Sequence, residues 1–184
     1  MAFWQNRAAA WAITAAAVAF SVWFGAASSL GSLRAETERL FTEGVSAKEP
    51  GIQYDLDWML EASHNLLVVA RRYLTENDPA LLAVEDARAK LAAASGTARK
   101  YDGAEFLLSA SAQLNYALSR MELDERDERY RQSLIADLES RWLIIGRNTA
   151  YNERAAAFNA ELERFPANVL SRITFVRPLE LFVP

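Results

Sequence analysis

The sequence has no cysteine and a single histidine, His64, and each scarcity excludes some chemistry. Without cysteine there are no disulfides, no thiol nucleophile and no thiolate metal site. One histidine cannot build the nitrogen-rich sites typical of zinc. Glycine is also scarce, at seven residues, and neither a phosphate-binding glycine loop nor a GxSxG motif occurs. We therefore predict a protein that is not an enzyme and has no metal or organic cofactor.

Charge is missing from one long stretch near the N-terminus. Between Arg7 and Arg34 lie 26 residues without a charged side chain. As a helix they would extend roughly 39 Å, against about 30 Å of bilayer hydrocarbon. Trp4, Trp11 and Trp23 lie towards the ends of this stretch, where aromatic rings favour the headgroup region. The pattern predicts a membrane anchor in residues 1–33, with residues 8–33 in the membrane.

A cleaved signal peptide is the alternative interpretation of residues 1–33. Arg7 supplies a positive start, and GAASS at residues 25–29 offers small residues for a peptidase. The apolar run is longer than that of most signal peptides, which favours a retained, single-pass anchor in the cell membrane. The order of these features favours a body outside the cytoplasm; the alternative is a cytoplasmic body.

Positive charge is in deficit over the rest of the chain, residues 34–184. The whole sequence carries 20 basic and 24 acidic side chains, and Arg7 is the one charged residue among the first 33, so the remainder has a net charge of −5. A domain this acidic lacks the electrostatic footprint of a nucleic-acid-binding protein. We therefore predict no nucleic-acid partner.

The spacing of apolar residues in residues 34–184 predicts helices. The anchor helix continues until Gly44, and a second helix runs from about Ile52 to Glu76. A third begins at Asp78 and Pro79, an N-cap followed by proline at the first helical position, and is interrupted near Ser95 and Gly96.

Two further helical stretches follow. One covers Ala104 to about Met121, and the charged segment at residues 123–129 reads as a solvated turn. The last long helix runs from roughly Arg126 to Arg164, because Pro166 disfavours helix in the residue before it. The predicted fold is all-α: an N-terminal transmembrane or signal-anchor helix, then a long antiparallel bundle of three to four long helices.

An aromatic–asparagine pair repeats at heptad spacing near the C-terminus. Tyr151 and Asn152 are followed seven residues later by Phe158 and Asn159. An asparagine in a helical seam commonly bonds to the facing helix and fixes its register, so we expect a packing role for these side chains. The alternative is that Asn148, with Asn152 and Asn159, lines a polar groove for a ligand or peptide. The apolar tail after Pro166 is expected to pack against the body.

These residues resemble a known family. The pattern YNxxxxxFNxxLxxFPAN, preceded by Asn148, is similar to the C-terminal signature of the LemA family of membrane-anchored helical-bundle proteins. The motif residues, structural or groove-lining, are Asn148, Tyr151, Asn152, Phe158, Asn159, Phe165, Pro166 and Asn168. The resemblance implies an anchored helical domain without established enzymatic activity and, as usually described, with a cytoplasmic body.

The predicted function follows from these features together. We expect a non-enzymatic scaffold or interaction protein of the bacterial envelope, binding a protein partner or further copies of itself. The alternative is a small-ligand or peptide sensor that uses the asparagine and aromatic groove of the last helix.

Overall fold

The computed structural model describes residues 7–183, and this part of the chain is all-α, as predicted. No β-strand occurs between residues 7 and 183. The helices found there are α1 (Arg7–Thr42), α2 (Ile52–Ala70), α3 (Pro79–Ala93), α4 (Thr97–Leu118), α5 (Glu125–Arg147), α6 (Ala150–Glu163) and α7 (Ala167–Thr174). The first unit holds the described residues up to Glu38 together with Arg154–Leu179; the second unit holds Arg39–Glu153 and the described residues from Glu180 onward.

Helix α1 begins as an apolar helix with almost no neighbours. Apart from Ala9, which is half-buried, every residue from Arg7 to Gly25 is exposed. Among the described residues α1 is the one helix long and apolar enough to cross a membrane, with a mean hydropathy of 1.6 over its most apolar window. The long apolar helix predicted from the uncharged run is therefore present; Trp4, placed towards one end of that run, lies outside the described residues.

The same helix continues beyond the apolar run, as predicted. Leu30 and Thr37 are buried in the first unit, and α1 ends at Thr42. Gly44 then has a φ of +78°, in the left-handed region that glycine adopts without steric cost. The glycine therefore ends the helix where the sequence indicated.

The core of the second unit lies among α2, α3, α4 and α5. Helix α2 packs against the other three, and α4 also packs against α3 and α5. The predicted apolar stripe of α2 is buried at Leu56, Met59 and Leu66. At the start of α3, Asp78 Oδ1 accepts a hydrogen bond from the Ala80 N–H at 2.9 Å, which confirms the predicted N-cap.

Two helix boundaries differ from the predicted ones. Helix α2 ends at Ala70 rather than near Glu76, because the residues that follow turn towards α5: Tyr73 OH donates to Asp127 Oδ2 at 2.9 Å. Helix α4 begins at Thr97 rather than Ala104, and Gly103 lies inside it. A Cβ at Gly103 would lie 3.1 Å from the Cα of Leu91, so this glycine lets α3 and α4 approach closely.

The prediction of one long helix from Arg126 to Arg164 is wrong, because the chain breaks between α5 and α6. Asn148 leaves helical geometry, with φ −81° and ψ 86°, and its Nδ2 donates to the carbonyl oxygen of Pro50 at 3.2 Å. Thr149 Oγ1 donates to Glu153 Oε1 at 2.7 Å at the start of α6. The residues of α5 and α6 therefore do not share one continuous helix face.

The charged segment at residues 123–129 was predicted to be a solvated turn, but α5 begins within it, at Glu125, so most of the segment is an ion-paired helix start. The N–H of Asp127 donates to Asp124 Oδ1 at 2.8 Å, and this bond chiefly holds the pKa of Asp124 below its usual value. Arg131 Nε donates to Glu128 Oε2 at 2.8 Å and, with Gln132, lowers the pKa of Glu128 to about 2. Among the described residues no group of three or more His, Cys, Asp or Glu side chains is placed to hold a metal ion.

These lowered pKa values predict a loss of stability in acid. A carboxyl with a depressed folded pKa contributes stability that is full above its unfolded pKa, roughly 4, and is lost as the pH falls through the folded value. The melting temperature should therefore fall between about pH 5 and about pH 2, and Glu128→Gln should lessen that fall. Scanning calorimetry across this range checks the effect, with Glu139→Gln, an exposed glutamate of the same helix, as the matched control. Equal pH dependence in the two variants would contradict it.

Candidate functional site

The C-terminal tail is held through its main chain in the second unit. Asn152 Nδ2 donates to the carbonyl of Phe182 at 2.9 Å, and Asn152 Oδ1 accepts from the N–H of Phe182 at 2.8 Å. Thr97 Oγ1 and Tyr151 OH both donate to the carbonyl of Glu180, at 2.8 Å and 2.6 Å. We call Thr97, Tyr151 and Asn152 the tail clamp. Its four bonds are made to backbone groups, so they would hold an extended chain of almost any sequence.

The side chain of Phe182 supplies the specificity that the tail clamp lacks. The ring is 4% exposed, and its centroid lies 5.6 Å from that of Phe41 and 5.2 Å from that of Tyr101. Phe41 also packs edge-on against Tyr151 at 5.2 Å. Aromatic pairs at these separations contribute about 0.5–1.5 kcal/mol beyond the area they bury. The tail is therefore fixed by one buried aromatic anchor and by its own backbone.

A cavity of about 370 Å³ adjoins the bound tail. Its lining includes the aromatic side chains Tyr101, Trp142 and Phe182, and the polar side chains Asn148 and Asn152. The structure thus brings two of the three predicted groove asparagines to one aromatic-lined cavity. Asn159 does not line it.

In the first unit, Asn159 makes the same pair of main-chain hydrogen bonds that Asn152 makes in the second unit. Its Nδ2 donates to the carbonyl of Leu179 at 2.8 Å, and its Oδ1 accepts from the Leu179 N–H at 2.8 Å. Leu179 is itself buried. Both asparagines therefore do the same work: each pairs with both main-chain groups of a single tail residue.

The remaining motif residues lie in the first unit and differ in their surroundings. Phe158 is buried and lines a cavity of about 170 Å³ with Leu33 and Thr37. Phe165 is fully outward-facing, and Pro166 precedes α7. Asn168 Oδ1 is buried and has no hydrogen-bond partner among the described residues. The eight motif residues therefore do not form one site.

The expectation that the asparagines bond to a facing helix is wrong. Asn152 and Asn159 bond to the backbone of the extended tail, and Asn148 bonds to a loop carbonyl. The expectation that the tail packs against the body is confirmed at Leu179 and Phe182, each within its own unit. Thr97, which completes the tail clamp, was not singled out from the sequence, since one threonine at the start of a helix carries no pattern.

A second cavity in the second unit, of about 410 Å³, contains a buried carboxylate. Asp55 is 1% exposed, and its Oδ1 accepts from Arg141 Nη1 at 2.9 Å. Its other oxygen, Oδ2, has no hydrogen-bond partner among the described residues. The Arg141 guanidinium lies over the Trp58 ring, with its Cζ 4.9 Å from the ring centroid. Lys48 also lines this cavity, so its polar lining carries charge of both signs.

The chemistry available at Asn152 is recognition of main-chain groups. Asparagine amides are neutral and act as paired donors and acceptors, which suits them to backbone recognition and not to acid–base work. Comparison with protein-family models, with curated proteins and with solved structures finds no match to this chain.

Proposed function

We propose that the protein is a non-enzymatic, LemA-like scaffold of the bacterial envelope, anchored by residues 8–33, whose helical body binds an envelope protein or further copies of itself. The observation that carries the proposal is helix α1. Its exposed apolar part, Arg7–Gly25, continues without a break into a segment with buried side chains at Leu30 and Thr37. A helix of this kind would couple a membrane span directly to a folded body.

The proposal includes an antiparallel arrangement of α2 to α5 as the body. Only residues 71–78, 94–96 and 119–124 link these four helices, and short links favour antiparallel neighbours. Such a bundle presents long exposed faces to a partner. Exposed Tyr116, Tyr130 and Leu143 are among the large side chains available for that contact.

Placement of the body is tested with the cysteine-free chain. A single cysteine at Ser95, in the link before α4, is treated with a membrane-impermeant maleimide in intact and in lysed cells. We propose an extracytoplasmic body, so labelling should occur in intact cells. Protection until lysis would place the body in the cytoplasm.

The scaffold role itself is tested by crosslinking in membranes that hold the full chain. We expect recovery of a discrete crosslinked species, either a homo-oligomer or a complex with one envelope protein. A chain that stays monomeric at all protein densities and captures no partner would contradict the proposal. Reactivity of the Ser95→Cys variant in the same membranes serves as the control that the body is accessible to the reagent.

A second candidate function, a peptide sensor, is favoured by the tail clamp and the adjoining cavity. A groove that holds its own tail by main-chain bonds would accept another extended peptide with an aromatic anchor. The test uses the Phe182→Ala variant, in which the internal tail is weakened. A synthetic peptide of residues 177–184 should raise its melting temperature, and Asn152→Leu in the same background should abolish the rise. No shift at saturating peptide would leave the scaffold as the sole proposal.

A further inference from the structure

A hydrogen bond ties α7 to the membrane-entering part of α1. Trp23 Nε1 donates to the carbonyl of Ile173 at 3.0 Å, within the first unit. Trp23 lies near the end of the exposed apolar stretch, Arg7–Gly25. The C-terminal turn of α7 is therefore level with the end of the segment that would be in lipid.

The outward side of α7 and its flanks is apolar. Val169 and Ile173 lie four residues apart in α7, so they share one side of the helix, and they are 52% and 48% exposed. Phe165, which precedes the helix, is 84% exposed. Phe175, just past the helix, is also 84% exposed. The opposite side, at Ala167 and Ser171, is buried. We call Phe165, Val169, Ile173 and Phe175 the foot.

The foot lies in a basic segment of an acidic protein. Residues 164–179 contain three arginines and no acidic residue, although residues 34–184 as a whole are net negative. Arg172 and Arg177 are exposed beside the foot. Basic side chains next to a membrane surface are attracted to anionic headgroups, and apolar side chains beside them enter the interface.

The length of the exposed apolar part of α1, Arg7–Gly25, determines how deep in the membrane the foot would lie. From Arg7 to Gly25 the helix rises about 27 Å, close to the roughly 30 Å of bilayer hydrocarbon. With this stretch in the hydrocarbon and residues 26–33 of the proposed anchor at and beyond the headgroup level, Trp23 falls in the interfacial zone that tryptophan favours. The bond from Trp23 to Ile173 then holds α7 in that zone too.

We propose that the foot inserts into the lipid headgroup region of the membrane that α1 enters, with Arg172 and Arg177 next to anionic headgroups. The inference rests on the proposed membrane anchor and adds a second contact with the same membrane. It gives α7 a partner of defined chemistry, the bilayer interface. The exposed aromatic rings at both ends of α7 suit that partner, since aromatic side chains concentrate there.

The test measures the contact of single positions with lipid in the intact chain. Three single-cysteine variants carry an environment-sensitive fluorophore. Phe175→Cys lies in the foot and Phe20→Cys lies in the exposed apolar part of α1. Ala160→Cys lies on the exposed surface of α6. Each is reconstituted into vesicles of equal parts phosphatidylcholine and phosphatidylglycerol, with or without headgroup-proximal nitroxide lipids. Aqueous iodide provides the complementary quencher.

If the foot inserts into the headgroup region, nitroxide lipids should quench much of the fluorescence of the label at position 175, and iodide should not reach that label. Position 160 should behave in the opposite way. Quenching at position 20 without quenching at 175 would overturn the foot and leave the anchor intact. Shielding of 175 from both quenchers would show a protein covering and overturn the foot as well. Absence of lipid quenching at both 20 and 175 would overturn the anchor together with the foot.

Discussion

Replacing Asn152 with leucine is expected to lower the free energy of unfolding by about 2–4 kcal/mol and to release the tail. The change removes two hydrogen bonds, each contributing about 0.5–1.5 kcal/mol, and release of the tail gives up part of the roughly 1.5–3 kcal/mol gained by burying the Phe182 side chain. Release would expose the Phe182 ring. Urea unfolding of the detergent-solubilised chain, with limited proteolysis of the tail, measures both effects.

Two further variants test whether the effect comes from the bonds to Phe182 or from the loss of any asparagine amide. Asn148→Leu removes one longer bond, of 3.2 Å, to the carbonyl of Pro50 and should cost only about 0.5–1.5 kcal/mol. Asn152→Asp keeps an acceptor for the Phe182 N–H but places a carboxylate oxygen against the Phe182 carbonyl. It should release the tail without removing side-chain volume. If Asn152→Leu and Asn148→Leu proved equally mild, backbone pairing would not be what holds the tail.

Replacing Arg141 with methionine is expected to cost about 3–5 kcal/mol, because it leaves a buried carboxylate without its cation. Asp55 is 1% exposed, and Arg141 supplies the one hydrogen bond that its carboxylate makes among the described side chains. The salt bridge joins α2 to α5, so its loss should loosen that packing. Thermal unfolding of the solubilised chain followed by circular dichroism measures the change.

The double variant Asp55→Leu with Arg141→Met provides the control. With both charges removed, the cost of an unpaired buried ion disappears, so most of the lost stability should return. Arg147→Met, at the exposed end of the same helix, should change stability by less than about 0.5 kcal/mol. A double variant as unstable as Arg141→Met alone would mean that lost packing, not the unpaired charge, causes the effect.

Sequence patterns correctly predicted those structural features that are determined by residues close together in the chain. The uncharged run predicted the long apolar helix, and Asp78 with Pro79 predicted the start of α3. Each depends on neighbouring residues alone. The break at Asn148 was missed because its side chain bonds to Pro50, 98 positions away in the chain. No pattern around Asn148 reports that contact.

The partners of Asn152 and Asn159 were also missed, although the sequence holds a usable signal. Seven residues of helix advance about 10.5 Å, and three residues of extended chain advance about 10 Å. Leu179 and Phe182 are three apart, so their spacing fits asparagines placed seven apart. A heptad of asparagines was interpreted as a helix–helix seam because that is its commoner setting. The matched advance of an apolar tail would have indicated that the helix pairs with an extended segment.

The tail clamp also has a consequence for biosynthesis. Asn152 and its partner Phe182 are 30 positions apart, and the partner is made second. At 5–20 residues per second, the ribosome needs about 2–6 s to cover that interval. Until then the Asn152 amide and the hydrophobic site for Phe182 stay open in the nascent chain. The site for Phe182 therefore closes only after the segment that carries it has been made, so the tail docks onto helices that precede it in synthesis.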